Sequence, residues 1–173
     1  MIVTLIGMPG CGKSCMGHAI SKKLGMKNID SDKLIEKKFG KKLHEIIEES
    51  GNEGFKKIEE DTLLSFDEDN VILSTGGSAI YYPAAMEYLK TKGVLVYLYC
   101  SYDVIEGRLG DFSKRGVVLE PGQTLRDLYE QRCVLYKKYA DIIVDCSGNS
   151  YFKYQSRVIT AIKGTLKDTL SKR

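Results

Sequence analysis

The sequence lacks the features that mark membrane and secreted proteins. No apolar run approaches the roughly 20 residues that a membrane-spanning helix needs. Met1 is followed directly by a strand-length apolar run, without a basic segment or a long apolar core, so no secretory signal is expected. These absences predict a cytoplasmic protein without a membrane partner.

Metal-binding and nucleic-acid-binding patterns are also missing. The five cysteines are odd in number and lack metal-ligand spacing, which fits a reducing cytoplasm. Lysine pairs are spread along the chain instead of forming one patch, so the net charge of +3 does not argue for nucleic acid. There is no internal repeat, low-complexity tract or linker, and 173 residues fit one domain spanning 1–173.

A complete phosphate-binding loop lies near the start of the chain. Gly7 to Ser14 reads Gly-Met-Pro-Gly-Cys-Gly-Lys-Ser and follows the apolar run Ile2 to Ile6, as a G-x-x-x-x-G-K-[ST] motif requires. The glycines allow the backbone to wrap around phosphates, and the following helix adds its positive end. Lys13 can reach the terminal phosphates and Ser14 can hold Mg²⁺. The sequence therefore predicts binding of a nucleoside triphosphate.

Strand and helix patterns alternate along the chain. Nearly continuous apolar runs predict strands at Ile2–Ile6, Lys27–Asp30, Val71–Thr75, Val94–Tyr99 and Ile142–Asp145. Helical patterns occupy Lys13–Leu24, Ser31–Phe39, Leu43–Glu49, Phe55–Phe66, Pro83–Lys92, Tyr102–Leu109, Thr124–Tyr139 and Tyr151–Leu170. This alternation predicts an α/β fold, a three-layer doubly wound sheet of about five parallel strands with helices on both faces. The irregular segment 110–122 is expected to be a mobile lid, with a plain surface loop as the alternative.

Polar residues and glycines follow two of the predicted strands, where ligands of parallel sheets bind. The second strand ends in Asp30-Ser31-Asp32; one carboxylate can face a metal and the other a substrate hydroxyl, although Asp30 or Ser31 can also cap the next helix. Gly76 and Gly77 follow the third strand and allow a ligand to approach the backbone, or form a plain tight turn.

Two cations are candidates for binding an anionic substrate. Lys56 either points into the pocket or forms an ion pair with Glu59 or Glu60 on its own helix. Arg132 lies among apolar residues at helical spacing, a setting suited to gripping a carboxylate.

Taken together, these residues resemble the shikimate kinase family, part of the nucleoside monophosphate kinase-like group of phosphate-loop proteins. The likeness runs from Met1 to about Asp145. It rests on the phosphate loop, Asp30-x-Asp32, Gly51-Asn52-Glu53-x-Phe55-Lys56-Lys57-x-Glu59, Leu73-Ser74-Thr75-Gly76-Gly77, Arg108, Arg115 and Arg132-x-x-Leu135-Tyr136. Many families share the first motif, whereas the series in this order is far more specific.

The resemblance implies a Mg²⁺-dependent kinase that transfers a phosphoryl group from ATP to the 3-hydroxyl of shikimate, in aromatic amino acid biosynthesis. The implied ATP-binding residues are Gly10, Cys11, Gly12, Lys13, Ser14, Cys15, Arg108 and Arg115. The implied substrate-binding residues are Asp32, Lys56, Gly76, Gly77 and Arg132. Asp32, Lys13 and Arg115 would be catalytic, and Ser14 and Asp30 would hold the metal. We expect a monomer that acts on a small molecule.

Three departures from the family pattern leave alternatives for the identity of the acceptor substrate. Lys56 stands where the family usually has arginine, Ser78 replaces the third glycine of a triple, and Arg115-Gly116-Val117-Val118 replaces Arg-Pro-Leu-Leu. All three fall on the acceptor side or in the lid. The alternatives are a kinase of the same fold for another polyol or hydroxy acid, and a non-catalytic ATP-binding regulatory protein.

Overall fold

A computed structural model describes residues 1–110, 119–120, 122–148 and 150–171. In these ranges, five strands alternate with seven helices and one short 3₁₀ turn at Ala79–Tyr81. The strands are β1 (Ile2–Ile6), β2 (Lys27–Asp30), β3 (Val71–Ser74), β4 (Gly93–Tyr99) and β5 (Ile142–Asp145). The helices are α1 (Lys13–Leu24), α2 (Ser31–Phe39), α3 (Leu43–Leu64), α4 (Pro83–Lys92), α5 (Tyr102–Leu109), α6 (Leu125–Tyr139) and α7 (Tyr151–Ser171).

The strands form one parallel sheet in the order β2-β3-β1-β4-β5. Every residue of β1 and β3 is buried. Because side chains of a strand alternate between the two faces, such burial requires helices on both faces. The predicted doubly wound α/β fold is therefore confirmed.

The predicted boundaries differ from the structure mainly in α3. The two helices expected at Leu43–Glu49 and Phe55–Phe66 form one element with a kink at Gly51. Thr124 lies just before α6 and not inside it, because its side chain accepts a hydrogen bond from the amide of Asp127 and caps the helix. These shifts do not alter the order of the elements.

The central position of β1 determines where ligands can bind. Its neighbours β3 and β4 lie on opposite sides, so the connection after β1 runs to β2 on one side and the connection after β3 crosses to β4 on the other. The phosphate loop follows β1, and the turn 75–78 follows β3 at the same edge of the sheet. Both segments thus meet at the carboxyl ends of the central strands.

Candidate active site

The phosphate loop between β1 and α1 encloses the ammonium group of Lys13. Gly10 and Gly12 have φ angles of 81° and 97°, in the left-handed region that disfavours side chains. The Nζ atom of Lys13 donates hydrogen bonds to the carbonyl oxygens of Gly7 (2.7 Å) and Met8 (3.1 Å). The side chain is only 8% exposed, so its charge lies inside the loop, where a phosphate would bind.

Ser14 and Asp30 bring two oxygen ligands together at the start of α1. The Ser14 hydroxyl donates to Oδ2 of Asp30 at 2.7 Å. The other oxygen of Asp30 accepts from the amides of Asp32 and Lys33 and caps α2. Asp30 therefore serves as the cap while its second oxygen still faces Ser14.

This oxygen pair fits Mg²⁺, which is usually held by one or two protein oxygens together with phosphates and water. In the ranges that the structure describes, no group of three or more His, Cys, Asp or Glu side chains could hold a metal by itself. A magnesium site here would thus need the phosphates of a nucleotide as well.

Asp32 lies in the first turn of α2 and lines a cavity of about 1710 Å³. The phosphate loop, α2, α3, the turn after β3 and α6 form the walls of this cavity. Burial, and after it the neighbouring charges of Asp30 and Glu59, raise the pKa of Asp32 to about 6, while the charge of Lys13 opposes them. A carboxylate with a pKa near neutrality suits a general base for a hydroxyl group.

The turn after β3 requires its two glycines because other groups crowd them. A Cβ on Gly76 would lie 2.8 Å from Oε1 of Glu59 and 3.1 Å from Oδ1 of Asp32. A Cβ on Gly77 would lie 2.7 Å from the proline ring of the phosphate loop and 3.1 Å from Nη1 of Arg132. The glycines therefore allow the phosphate loop and the acceptor side to approach each other.

Arg132 on α6 is a buried guanidinium that faces the same cavity. It is 7% exposed, and its Nε donates to the hydroxyl of Tyr81 at 3.4 Å. Its guanidinium lies 5.4 Å from the centre of the Tyr81 ring. None of the ion pairs in the described part of the chain involves Arg132. A buried cation without an ionic partner is costly, so this site favours an anionic ligand.

Lys56 reaches the cavity wall, but its ammonium has a protein partner. Its Nζ lies 2.6 Å from Oε1 of Glu53, one turn earlier on α3, and its side chain is half exposed. The ion pair with Glu59 or Glu60 that the spacing allowed is therefore wrong. Of these two cations, Arg132 is therefore the one more available to bind an anion.

A second cavity of about 480 Å³ lies on the other side of the phosphate loop. Arg108 lines it, and its Nη1 donates to the carbonyl oxygen of Gly10 at 3.5 Å. Tyr151 and Tyr154 also line it, and the hydroxyl of Tyr151 donates to the carbonyl oxygen of Cys15 at 3.0 Å. A cavity lined by guanidinium and phenol groups beside a phosphate loop suits a nucleotide base.

Two predicted features fall outside the described residues. Arg115 lies there, as does most of the expected lid (residues 111–118 and 121).

Sequence analysis missed the tyrosines of the base cavity and the role of Glu59. The sequence names Glu59 as a possible ion-pair partner and as part of the family pattern, without a task in the site, yet it is 7% exposed and accepts a hydrogen bond from Tyr82. The hydroxyl of Ser78 is its other donor. Local spacing cannot reveal these contacts, since they join α3 to residues about twenty positions further on.

The family model for shikimate kinase matches residues 9–163. The chain belongs to the shikimate kinase family. Shikimate kinases of Francisella philomiragia and Francisella tularensis subsp. novicida are each 33% identical to it, over 91% of this chain and 92% of theirs. These matches span nearly the whole length of both chains.

Solved structures of family members have the same fold. Shikimate kinase from Aquifex aeolicus has a TM-score of 0.84 and 28% identity, covering 96% of this chain and 98% of its own. The enzyme from Acinetobacter baumannii, in complex with shikimate, has a TM-score of 0.77 and 30% identity, covering 99% and 94%. A gluconokinase from Sinorhizobium meliloti, at 13% identity and a TM-score of 0.62 over 98% and 95%, shares the fold alone.

The structure describes no helix long and apolar enough to cross a membrane.

Proposed function

We propose that this protein transfers the γ-phosphoryl group of ATP to the 3-hydroxyl of shikimate, giving shikimate 3-phosphate and ADP. One observation carries the proposal. A single cavity contains the Lys13 loop, the Asp32 carboxylate and the buried guanidinium of Arg132, which takes part in none of the ion pairs among the described residues. Family membership supports the same reaction.

The donor end of the cavity supplies charge and orientation. The phosphate loop, with Gly10, Gly12 and Lys13 at its centre, would bind the phosphates of ATP, and Arg108 would pack against the base. Ser14 and Asp30 would hold magnesium, which supplies neutralising charge on the phosphates when bound. Cys11 and Cys15 contribute the backbone of this loop.

The acceptor end supplies the base and the anchor. Arg132 would grip the shikimate carboxylate, and the amides of Gly76 and Gly77 would line the ring. Asp32 would orient the 3-hydroxyl and accept its proton, which its raised pKa favours. Lys56 adds positive charge at the cavity wall while paired with Glu53. Arg115 remains a predicted catalytic residue that stabilises the transferring phosphoryl group.

The test is ADP release from Mg·ATP by the purified protein, with shikimate, quinate, other polyols and nucleoside monophosphates as acceptors. We expect turnover that depends on shikimate, at about 1–10³ s⁻¹, and its loss in Lys13→Ala. Turnover with a different acceptor alone would establish the kinase but reject shikimate. No turnover with any acceptor would favour the non-catalytic alternative.

We also propose that the chain works as one cytoplasmic, monomeric domain. Sedimentation of the purified protein would test its monomeric state.

A further inference from the structure

Glu59 is a buried carboxylate to which the proposed phosphoryl transfer gives no task. It lies on α3, is 7% exposed and faces the turn after β3. The hydroxyl of Ser78 lies 2.7 and 2.8 Å from its two oxygens, and the hydroxyl of Tyr82 donates to Oε2 at 2.6 Å. Two hydroxyl donors on one buried carboxylate form a built contact, because an unpartnered buried charge would be strongly unfavourable.

The turn that this contact holds lies between the donor and acceptor ends of the site. A Cβ on Gly76 would meet both Glu59 and Asp32, and one on Gly77 would meet the phosphate loop and Arg132. A displacement of this turn would therefore change the distances among the proposed general base Asp32, the phosphate loop and Arg132.

Two further hydrogen bonds fix the same turn from other elements. The amide of Gly76 donates to the hydroxyl of Ser31 at 3.1 Å, at the start of α2. The carbonyl oxygen of Gly77 accepts from the hydroxyl of Tyr136 at 2.7 Å, on α6. The bond from Ser78 to Glu59 adds α3 as the third attachment, so three helices hold three successive residues.

Charge also links Glu59 to the anion anchor. Burial raises the pKa of Glu59, while the hydroxyls of Tyr82 and Ser78 and the positive charge of Arg132 oppose that rise. A negative Glu59 and a positive Arg132 on opposite sides of the turn restrain each other. No ion pair joins the two side chains in the described part of the chain, so the guanidinium stays available to a ligand.

We propose that Glu59, held by Ser78 and Tyr82, is a positioning residue that fixes the turn 76–78 and thereby the acceptor end of the site. The inference depends on the proposed function only for the identity of the acceptor. It also explains why a serine is acceptable in place of the third glycine of the family pattern, since its hydroxyl is used.

The central variant is Tyr82→Phe, with Tyr88→Phe as its matched control. Each substitution removes one phenol hydroxyl that donates a hydrogen bond: Tyr82 to Glu59 at 2.6 Å, and Tyr88 to the carbonyl oxygen of Phe66 at 2.9 Å, away from the site. Hydrogen exchange of the ligand-free proteins should become faster across residues 75–79 in Tyr82→Phe and stay unchanged there in Tyr88→Phe. Equal exchange at this turn in both variants and the wild type would overturn the proposal.

Kinetics then test the consequence for the acceptor. We expect Tyr82→Phe to raise the KM for the acceptor about three- to tenfold, with the KM for ATP within about twofold of the wild type. Tyr88→Phe should change neither constant. A merely structural role for Tyr82 would leave both KM values unchanged or raise them together, and that result would contradict the proposal.

The double variant Glu59→Gln/Tyr82→Phe identifies the residue through which Tyr82 acts. If Tyr82 acts through Glu59, the double variant should resemble Glu59→Gln, and the two single effects should not add. Additive effects would overturn the assignment of Glu59. If the wild type does not use shikimate, the proposed function fails, while the exchange experiment still decides this inference.

Discussion

The partly buried carboxylate of Asp32 and the buried carboxylate of Glu59 face the same glycine, Gly76, and their surroundings give them different tasks. Hydroxyl groups of Ser78 and Tyr82 hold Glu59 in place. Asp32 has negative neighbours, and burial together with those charges raises its pKa to about 6. At the scale of the residue, hydrogen bonds within the protein satisfy the carboxylate of Glu59, whereas that of Asp32 remains able to accept a proton.

The raised pKa of Asp32 predicts a trade between activity and stability. In the ligand-free, metal-free protein, Asp32→Asn should raise the free energy of unfolding at pH 7.5 by about 1–3 kcal/mol. The same variant should lose at least about 100-fold in turnover.

The sign follows from proton binding. Between the ordinary pKa of 3.8 and the raised value of about 6, folded Asp32 holds its proton more tightly than the unfolded chain does. Stability from this group is therefore present at low pH and is lost as pH rises through that window, and the advantage of Asp32→Asn should vanish near pH 4. Urea titrations from pH 4 to 8 measure it, with the exposed Asp61→Asn as control. A variant less stable than the wild type at pH 7.5 would show that Asp32 has a structural role.

The sequence allowed some site residues to be predicted and not others, for a physical reason. Lys13 and Ser14 end the phosphate-loop motif that follows β1, and Asp32 lies just after β2, so motif and strand end together determine their place. Other contacts depend on side-chain directions in the folded protein. Lys56 pairs with Glu53, and Glu59 accepts a hydrogen bond from Tyr82. A spacing rule permits several partners on a helix face, and only packing chooses among them.

At the scale of the element, α3 carries Lys56 and Glu59, which we propose for the acceptor end of the site, on the far side of a kink. Gly51 has φ 68° and ψ 172° inside Leu43–Leu64, so the helix changes direction before Lys56 and Glu59. The sequence predicted this break, since it placed a gap between two helices there. It could not predict that the two halves would continue as one element, because this depends on how both pack.

We expect that the kink requires glycine at position 51 because of the backbone conformation there, and not because a side chain would collide with neighbouring atoms. A Cβ on Gly51 would meet no atom within 4 Å, but its φ is one that side-chain-bearing residues rarely adopt. We expect Gly51→Ala to lower the free energy of unfolding by about 1–3 kcal/mol. Gly164→Ala on α7, also in open space and without a positive φ, should instead raise it by about 0.4–1 kcal/mol. Urea unfolding measures both; a neutral Gly51→Ala would mean that the helix can straighten without cost.

At the scale of the whole molecule, the site combines segments that are far apart in sequence. The order β2-β3-β1-β4-β5 brings the loop after β1 beside the turn after β3, and α6 supplies Arg132 from residues 125–139. The alternation of strands and helices predicted this sheet, and the parallel topology then predicted the edge at which ligands bind. It did not predict the second cavity, which we propose for the nucleotide base and whose tyrosines come from the last helix.

This architecture predicts that donor and acceptor stabilise the protein through separable parts of one site. A ligand at 100 times its Kd adds about 2.7 kcal/mol to the free energy of unfolding, which raises the Tm by roughly 5–10 °C for a chain of this size. Arg132→Ala should abolish the shift from shikimate and retain the shift from Mg·ADP, whereas Lys13→Ala should do the reverse.

Arg126→Ala is the matched control for the acceptor arm of this thermal unfolding experiment. Arg126 is on the same helix, but its guanidinium lies 3.9 Å from the centre of the Tyr102 ring and binds α6 to α5. Its loss should lower the starting Tm and leave both ligand shifts intact. If Arg132→Ala also kept the shikimate shift, another group would anchor the acceptor, and Lys56, released from Glu53, would be the first to test. If it lost both shifts, the two ends of the cavity would form one cooperative unit, and the turn 76–78 that separates them would transmit the effect.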